Sequence, residues 1–311
     1  MYRHVFVRLP LLSASFLISP LQAAVPAAIA LPYQVRPDIP TCEPGRLSEA
    51  TRQRVLDLVN QLRTLHGLAP VAYAPQLQAQ ADAAALVMAA NGALSHMPAP
   101  DWRCASPLAQ QGARTSLLYG GAVSPLPAMG SADDIVARWL SDTNNLVADG
   151  LGHRRWLLDP FLREVAFAWV AGPLANGMQS GAAALRLERG SNAEPLRGGG
   201  EVVAWPVGDY PGRYFDPNAW LSFSLLVDPS RPGGANHEVD YRQARVQVRD
   251  PDGNVLPLLA LRYDNEYYGL PNNLQFRVAG LRPGIRYDVV VDGVGVAGEL
   301  REFRYGFRVV P

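Results

Sequence analysis

The apolar positions of this chain change period once, near the middle. Val55, Leu58, Val59, Leu62 and Leu65 recur at helical spacing between Ser48, a residue suited to an N-cap, and Gly67, a natural stop. A second helix is predicted from near Pro75 through the alanine-rich stretch Leu77 to Ala90, ending at Asn91-Gly92. Ser131, with Asp133 and Asp134 in the first turn, opens a third that carries Ile135, Val136, Trp139 and Leu140 on one side. A short fourth covers residues 153–158 and ends before Pro160. From there the period falls to two. Residues 164–171 and 183–189 read as strands joined across Asn176-Gly177. Helices followed by an antiparallel sheet predict an α+β layered domain.

Residues 190–200 run Gly-Ser-Asn-Ala-Glu-Pro-Leu-Arg-Gly-Gly-Gly, which has no periodicity and many breakers, so a linker is expected there. Beyond it every signal is strand or turn: 221–227, 244–249, 255–261, 274–278, 287–291 and 302–310, with a turn at Asp252-Gly253. Strands at this spacing without helices predict a β-sandwich over 201–311. Leu281, Pro283, Gly284, Tyr287, Val289 and Val291 form a segment that resembles the tyrosine corner of fibronectin type III and immunoglobulin-like domains. There the hydroxyl ties a loop to the strand that the tyrosine enters.

Composition narrows the chemistry. The 311 residues, 48% of them apolar, suffice for roughly two domains with cores of their own. All 28 basic residues are arginine. Without lysine there is no Schiff-base, P-loop-lysine or serine-lysine mechanism, and arginine holds anions without serving as a base. The 28 acidic residues balance the charge, so no nucleic-acid surface is expected. Arg3, His4 and Arg8 precede an apolar run from Leu9 to Leu21, and Ala28-Ile29-Ala30 offers a small-x-small cleavage pattern. Residues 1–30 therefore read as a secretory signal. A membrane anchor fits less well, because the run carries Pro10 and Pro20 and falls short of the ~20 residues that span a bilayer. The mature chain is expected to be secreted or periplasmic, monomeric and without a transmembrane segment. In that compartment Cys42 and Cys104 are expected to form a disulfide, closing a loop of about 62 residues worth roughly 4 kcal/mol by chain entropy. Two free thiols, or a Cys104 nucleophile assisted by His96, are the alternatives.

Four histidines remain after the signal: His66, His96, His153 and His237. None sits in a local metal motif, and no Gly-x-Ser-x-Gly nucleophile elbow is present. His66 is explained by favourable charge at a helix C-terminus, and His237 by a turn-rich loop. The surroundings of the other two are more telling. Asn60 to Arg63, His66-Gly67, the helix from Leu77 to Ala90, Leu94-Ser95-His96, Trp139 and the segment Gly152-His153-Arg154-Arg155-Trp156-Leu157-Leu158-Asp159-Pro160 together resemble the CAP superfamily, also called SCP/PR-1-like, in order and spacing from about Leu47 to Val170.

The resemblance implies an α-β-α sandwich CAP domain over about 45–189, followed here by the all-β sandwich. It also implies a cleft where two histidines converge, completed in many members by two acids that help hold zinc or another divalent cation. His96 and His153 match the histidines. The first acid falls near Arg114-Thr115-Ser116-Leu117, where this chain has none, and the second falls at Asp142. Candidate metal ligands are therefore His96, His153 and Asp142, but the metal-bound water would lack a general base, because Thr115 and Ser116 do not take a proton near neutrality. The alternative is a polar cleft held by hydrogen bonds among His96, His153, Asp142, Ser116, Asn144 and Asn145. Arg154 and Arg155 are expected to fix a loop by pairing with Asp149, Asp159 or Glu164, or else to capture an anion. Trp205, Tyr210, Tyr214, Phe215 and Trp220 either cement the second domain to the first or form a surface for sugars or proteins. The leading expectation is a non-enzymatic exported binding protein whose ligand is a protein, glycan or lipid. The alternatives are a metal-dependent hydrolase of peptide or cell-wall substrates at His96 and His153, and a carbohydrate-binding adhesin working through the Trp205 to Trp220 aromatics.

Overall fold

The computed structural model describes residues 32–126, 131–143, 145, 151–266 and 268–311. The expected export signal, Asn144 and Asp149 lie outside the described residues. Residues 32–311 form one compact unit. A strand pair, β1 (Tyr33–Val35) and β2 (Arg46–Leu47), precedes α1 (Glu49–Leu65), which begins where Ser48 Oγ accepts the Thr51 N–H at 3.2 Å. β3 (Ala72–Tyr73) and a 3-10 turn at Pro75–Leu77 lead into α2 (Gln78–Asn91). α3 (Pro107–Arg114) escapes the periodicity reading because it is only 8 residues long. Its one signal is local: Ser106 caps the Ala109 N–H ahead of a proline at the helix start. It can lie close to α2 because Gly112 has no side chain; a Cβ there would stand 2.0 Å from the Gln80 carbonyl oxygen. β4 (Ser116–Ser124), α4 (Ala132–Ser141), α5 (Gly152–Leu157), β5 (Leu162–Pro173) and β6 (Gln179–Arg189) complete the first half. α4 opens at Ser131 as expected, where Ser131 and Asp134 form a reciprocal capping box.

Strand alternation builds the layers. The sheet runs β3-β5-β6-β4, with β3 parallel to β5 and the other pairs antiparallel. Val165, Phe167, Ala183 and Leu185 face one way and meet α1, α4 and α5, while Ala166, Ala168, Ala182 and Ala184 face the other and meet α2 and α3. Period two on the sheet thus meets period 3.6 on both flanking layers, giving the α-β-α sandwich. Alanines on the α2 side let that helix sit close to the sheet. Cys42 and Cys104 are joined in a disulfide that ties the segment before α1 to the loop between α2 and α3, which removes both thiol alternatives.

The C-terminal half is built of strands apart from two 3-10 turns at Gly212–Tyr214 and Gly234–Asn236: β7 (Val202–Trp205), β8 (Gly208–Pro211), β9 (Leu221–Leu225), β10 (Arg245–Arg249), β11 (Leu258–Asp264), β12 (Asn273–Val278), β13 (Arg286–Val296) and β14 (Glu299–Val310). Sheets β10-β13-β14-β8 and β11-β12-β9-β7 enclose a core of Phe223, Phe276, Val289, Val291 and Phe307. Tyr287 behaves as its motif suggests, its hydroxyl accepting the Arg282 N–H at 2.8 Å.

Several expectations are corrected by burial. Trp205, Tyr210 and Tyr214 are buried, so they form no surface for glycans; they join α1, α4 and α5 in one core, with Phe215 and Trp220 half-buried beside them. Ala193 and Leu196, in the breaker-rich segment, are buried in that core too. His66 is not a charged helix end. Its Nδ1–H donates to the Ala204 carbonyl at 2.8 Å, its Nε2 accepts from the Tyr210 hydroxyl at 3.2 Å, and burial pushes its pKa down to about 4. Arg154 and Arg155 are both 1% exposed, and among the described residues Asp159 and Glu164, two of the expected acids, have other partners, while Asp149 lies outside the described residues. Arg154 donates to the carbonyls of Leu140, Ser141 and Trp220 and lies 3.8 Å over the Trp205 ring. Arg155 pairs with Asp264 at 2.5 Å and donates to the Leu270 and Glu266 carbonyls. Asp159 instead pairs with Arg189, and Glu164 accepts from Gln76. Sequence distance hid Trp220, Asp264, Glu266 and Leu270, which come from the C-terminal half of the chain.

Candidate functional site

His96 lies beyond the C-terminus of α2. The turn there is fixed by Ser95, whose Oγ accepts the Met97 N–H at 3.0 Å. The His96 Nδ1–H donates to the Ala113 carbonyl at 2.7 Å, near the end of α3. His153 is the second residue of α5. Its Nδ1–H donates to Asp142 Oδ1 at 2.8 Å, and its backbone N–H donates to Asp142 Oδ2 at 3.1 Å. Asp142 reaches both because it caps α4 in the left-handed region (φ 53°), which turns its side chain back towards α5. The Trp139 indole N–H, bonded to the Leu118 carbonyl at 3.0 Å, holds α4 against β4. The side chain of Asp142 is 0% exposed and that of His153 19% exposed, so the carboxylate lies behind the ring and the ring faces the cleft. Each Nδ1 is thereby a donor, and each Nε2 carries a lone pair with no partner among the described residues.

Two cavities meet at these rings. One, of about 330 Å³, lies over Leu94, Tyr119, Trp139 and Asp142; the other, of about 440 Å³, is walled by Arg114, Leu117, Trp156, Leu187 and Tyr268. His96, Asn145 and His153 line both. Ser116 borders the second, but its hydroxyl is enclosed and makes no hydrogen bond among the described residues. The Thr115 hydroxyl donates to the Gln111 carbonyl at 2.8 Å. Glu188 also borders the second cavity, its carboxylate accepting from Arg186 at 2.9 Å.

A divalent cation fits this donor set poorly. Pinning each Nδ1 on an acceptor is the arrangement that metal-ligating imidazoles use, but both Asp142 oxygens are taken by His153. Among the described residues no group of three or more His, Cys, Asp or Glu side chains is placed to hold a metal ion. A zinc site needs three or four protein ligands.

Sequence reasoning found no general base; the fold supplies one. Asp142 orients His153 as the acid of a hydrolytic triad orients its histidine, leaving Nε2 to accept a proton. Among the described residues no hydroxyl is bonded to that nitrogen to serve as a nucleophile. Glu188 and Tyr268 stand in segments that carry no motif, so nothing in the sequence marked them. Arg114 and Trp156 stood beside or inside the family segments without any sign that they face the cleft.

No curated protein matches the sequence. A crystal structure of a DUF4426 family protein from Pseudomonas aeruginosa is 19% identical, covering 30% of this chain and 73% of its own, with a TM-score of 0.20, too slight a likeness to inform the fold. The family model described as CAP, the cysteine-rich secretory protein family, matches residues 56–176, a span that includes both cleft histidines, Asp142 and three of the four strands of the sheet, β3, β4 and β5. Together with the layered fold, that match makes this part of the chain a CAP domain, placed ahead of a β-rich C-terminal region.

Proposed function

We propose that this is an exported CAP-domain protein that holds a ligand in the His96 and His153 cleft without turning it over. The reading takes residues 1–30 as a cleaved signal, 45–189 as the CAP domain, 190–200 as the linker and 201–311 as the β-sandwich. Export is supported by the disulfide, which persists in oxidising compartments. Among the described residues no helix is long and apolar enough to cross a membrane. The observation that carries the binding role is the commitment of Asp142. The carboxylate nearest the histidines is spent on both donors of His153, so what faces a ligand is two imidazole lone pairs and Asn145, bordered by two cavities.

Hydrolysis has one observation in its favour, the oriented base His153. Against it stand two features of the described residues: no hydroxyl bonded to His153 Nε2, and no complete ligand set for a metal that would activate water. Metal content and turnover on a peptide and cell-wall library, measured for the mature protein beside the His96→Ala/His153→Ala variant, separate the two readings. Substoichiometric metal and equal background rates are expected. Turnover that the double substitution abolishes would replace binding with hydrolysis.

A further inference from the structure

The cavity of about 440 Å³ beside the histidines is large enough for a small organic ligand, which typically needs a pocket of roughly 300 Å³ or more. Its charges largely cancel. Arg186 is paired with Glu188 at 2.9 Å and Arg189 with Asp159 at 2.6 Å. Arg114, exposed at the end of α3, lies within salt-bridge reach of no carboxylate among the described residues. One guanidinium at the rim is therefore left to receive an anion.

The walls specify the rest of the ligand. Leu117 and Leu187 give the cavity apolar wall that suits the hydrocarbon part of a ligand. Trp156 and Tyr268 add two ring faces, and each is held by a guanidinium: Arg189 lies 5.4 Å from the Trp156 ring centre and Arg155 5.5 Å from that of Tyr268. Arg155 also fixes the flanks of Tyr268, donating to the Glu266 and Leu270 carbonyls, while Leu270 N–H returns a bond to the Arg155 carbonyl at 3.2 Å. At Gly269 (φ 77°) a Cβ would stand 2.5 Å from that same carbonyl oxygen, so the chain passes too close for any other residue. Tyr268 belongs to the β-rich C-terminal region, yet it is carried into the cleft by the arginine two residues after His153.

We propose that this cavity binds a compact aromatic carboxylate, the carboxylate at Arg114 and the ring system against Trp156 and Tyr268, so that the C-terminal region sets the specificity of the CAP cleft. The inference rests on the cleft being a binding site. Flat rings suit these walls because offset and edge-on aromatic contacts add to simple area burial, and the pre-held side chains lose little freedom on binding.

Calorimetric titration of the full chain with 2-naphthoate and with uncharged 2-naphthamide tests it. Saturable one-to-one naphthoate binding is expected, preferred over the amide by about tenfold. In Arg114→Gln that preference collapses. Tyr268→Ala weakens both probes by about fivefold or more, and Tyr268→Phe recovers most of the loss. Both side chains are exposed, so the variants keep the fold. No saturable binding of naphthoate, or binding that neither substitution alters, overturns the proposal. Naphthoate binding that ignores Arg114→Gln and Tyr268→Ala but disappears in His96→Ala/His153→Ala overturns it while leaving the cleft in its binding role.

Discussion

His66 and Asp82 are buried titratable groups whose burial acts in opposite directions. Burial pushes the His66 pKa down from 6.5 to about 4, so the folded protein prefers the neutral ring that serves Ala204 and Tyr210. The unfolded chain binds the extra proton between those values, so the His66 contribution is complete above pH 6.5 and is lost as pH falls towards 4, by up to about 3 kcal/mol. Burial pushes Asp82 up from 3.8 to about 6, with the Gln78 amide opposing. Here the folded state binds the extra proton, so its carboxylate costs stability above pH 6 and that cost fades as pH falls towards 3.8. In the wild type the two slopes largely cancel, and only single variants expose them. His66→Gln is expected to be destabilised most at pH 7, with the deficit shrinking by about 3 kcal/mol towards pH 4. Asp82→Asn, which keeps an acceptor for Gln78, is expected to gain about 2 kcal/mol at pH 7 and to lose the gain below pH 5. Urea midpoints across that range check both. A deficit in His66→Gln that does not change with pH would remove the linkage.

The disulfide shows how one covalent tie organises several elements. It joins the short turn before α1 to the loop between α2 and α3, its cysteines 62 positions apart. By chain entropy that loop is worth about 4 kcal/mol. Cys42→Ser/Cys104→Ser is expected to lower the unfolding free energy by an amount of that order, measured by urea unfolding against the oxidised protein; a loss below about 1 kcal/mol would contradict the entropic account. At this level much was readable from the sequence. α1, α2 and α4 follow from periodicity with caps, and six C-terminal strands follow from alternation. α3 was not, because a helix of two turns leaves too few repeats to establish a period. β4 was not, because Gly120 and Gly121 break its alternation. The cleft divides in the same way. His96, His153 and Asp142 were legible because the segments that hold them are local. Arg114, Glu188 and Tyr268 were not, because only the pairing of β4 with β6 and the reach of Arg155 bring them to one cavity.

The CAP domain and the β-sandwich are joined through buried arginine. Val203, Trp205, Tyr210 and Leu270 pack into the same core as α1, α4 and α5, so the two halves share apolar surface. Arg154 and Arg155 then supply the polar connection, one to Trp220 and the ring of Trp205, the other to Asp264, Glu266 and Leu270. Burial pulls the Arg154 pKa down only to about 10, so it remains a fixed charge whose donors serve carbonyls on both sides of the junction. A methionine in its place fills similar volume but leaves those carbonyls without donors inside the protein. Arg154→Met is therefore expected to cost about 3 kcal/mol or more. It should also divide a single calorimetric transition into two, because the shared core would no longer be held in register with α5. Arg242→Gln, which removes an exposed pair with Asp240, serves as the control and is expected to change stability by less than about 1 kcal/mol. A wild-type protein that already unfolds in two independent steps, or an Arg154→Met variant no weaker than Arg242→Gln, would show that the halves stand apart. Tyr268 would then have no rigid route by which to shape the cleft.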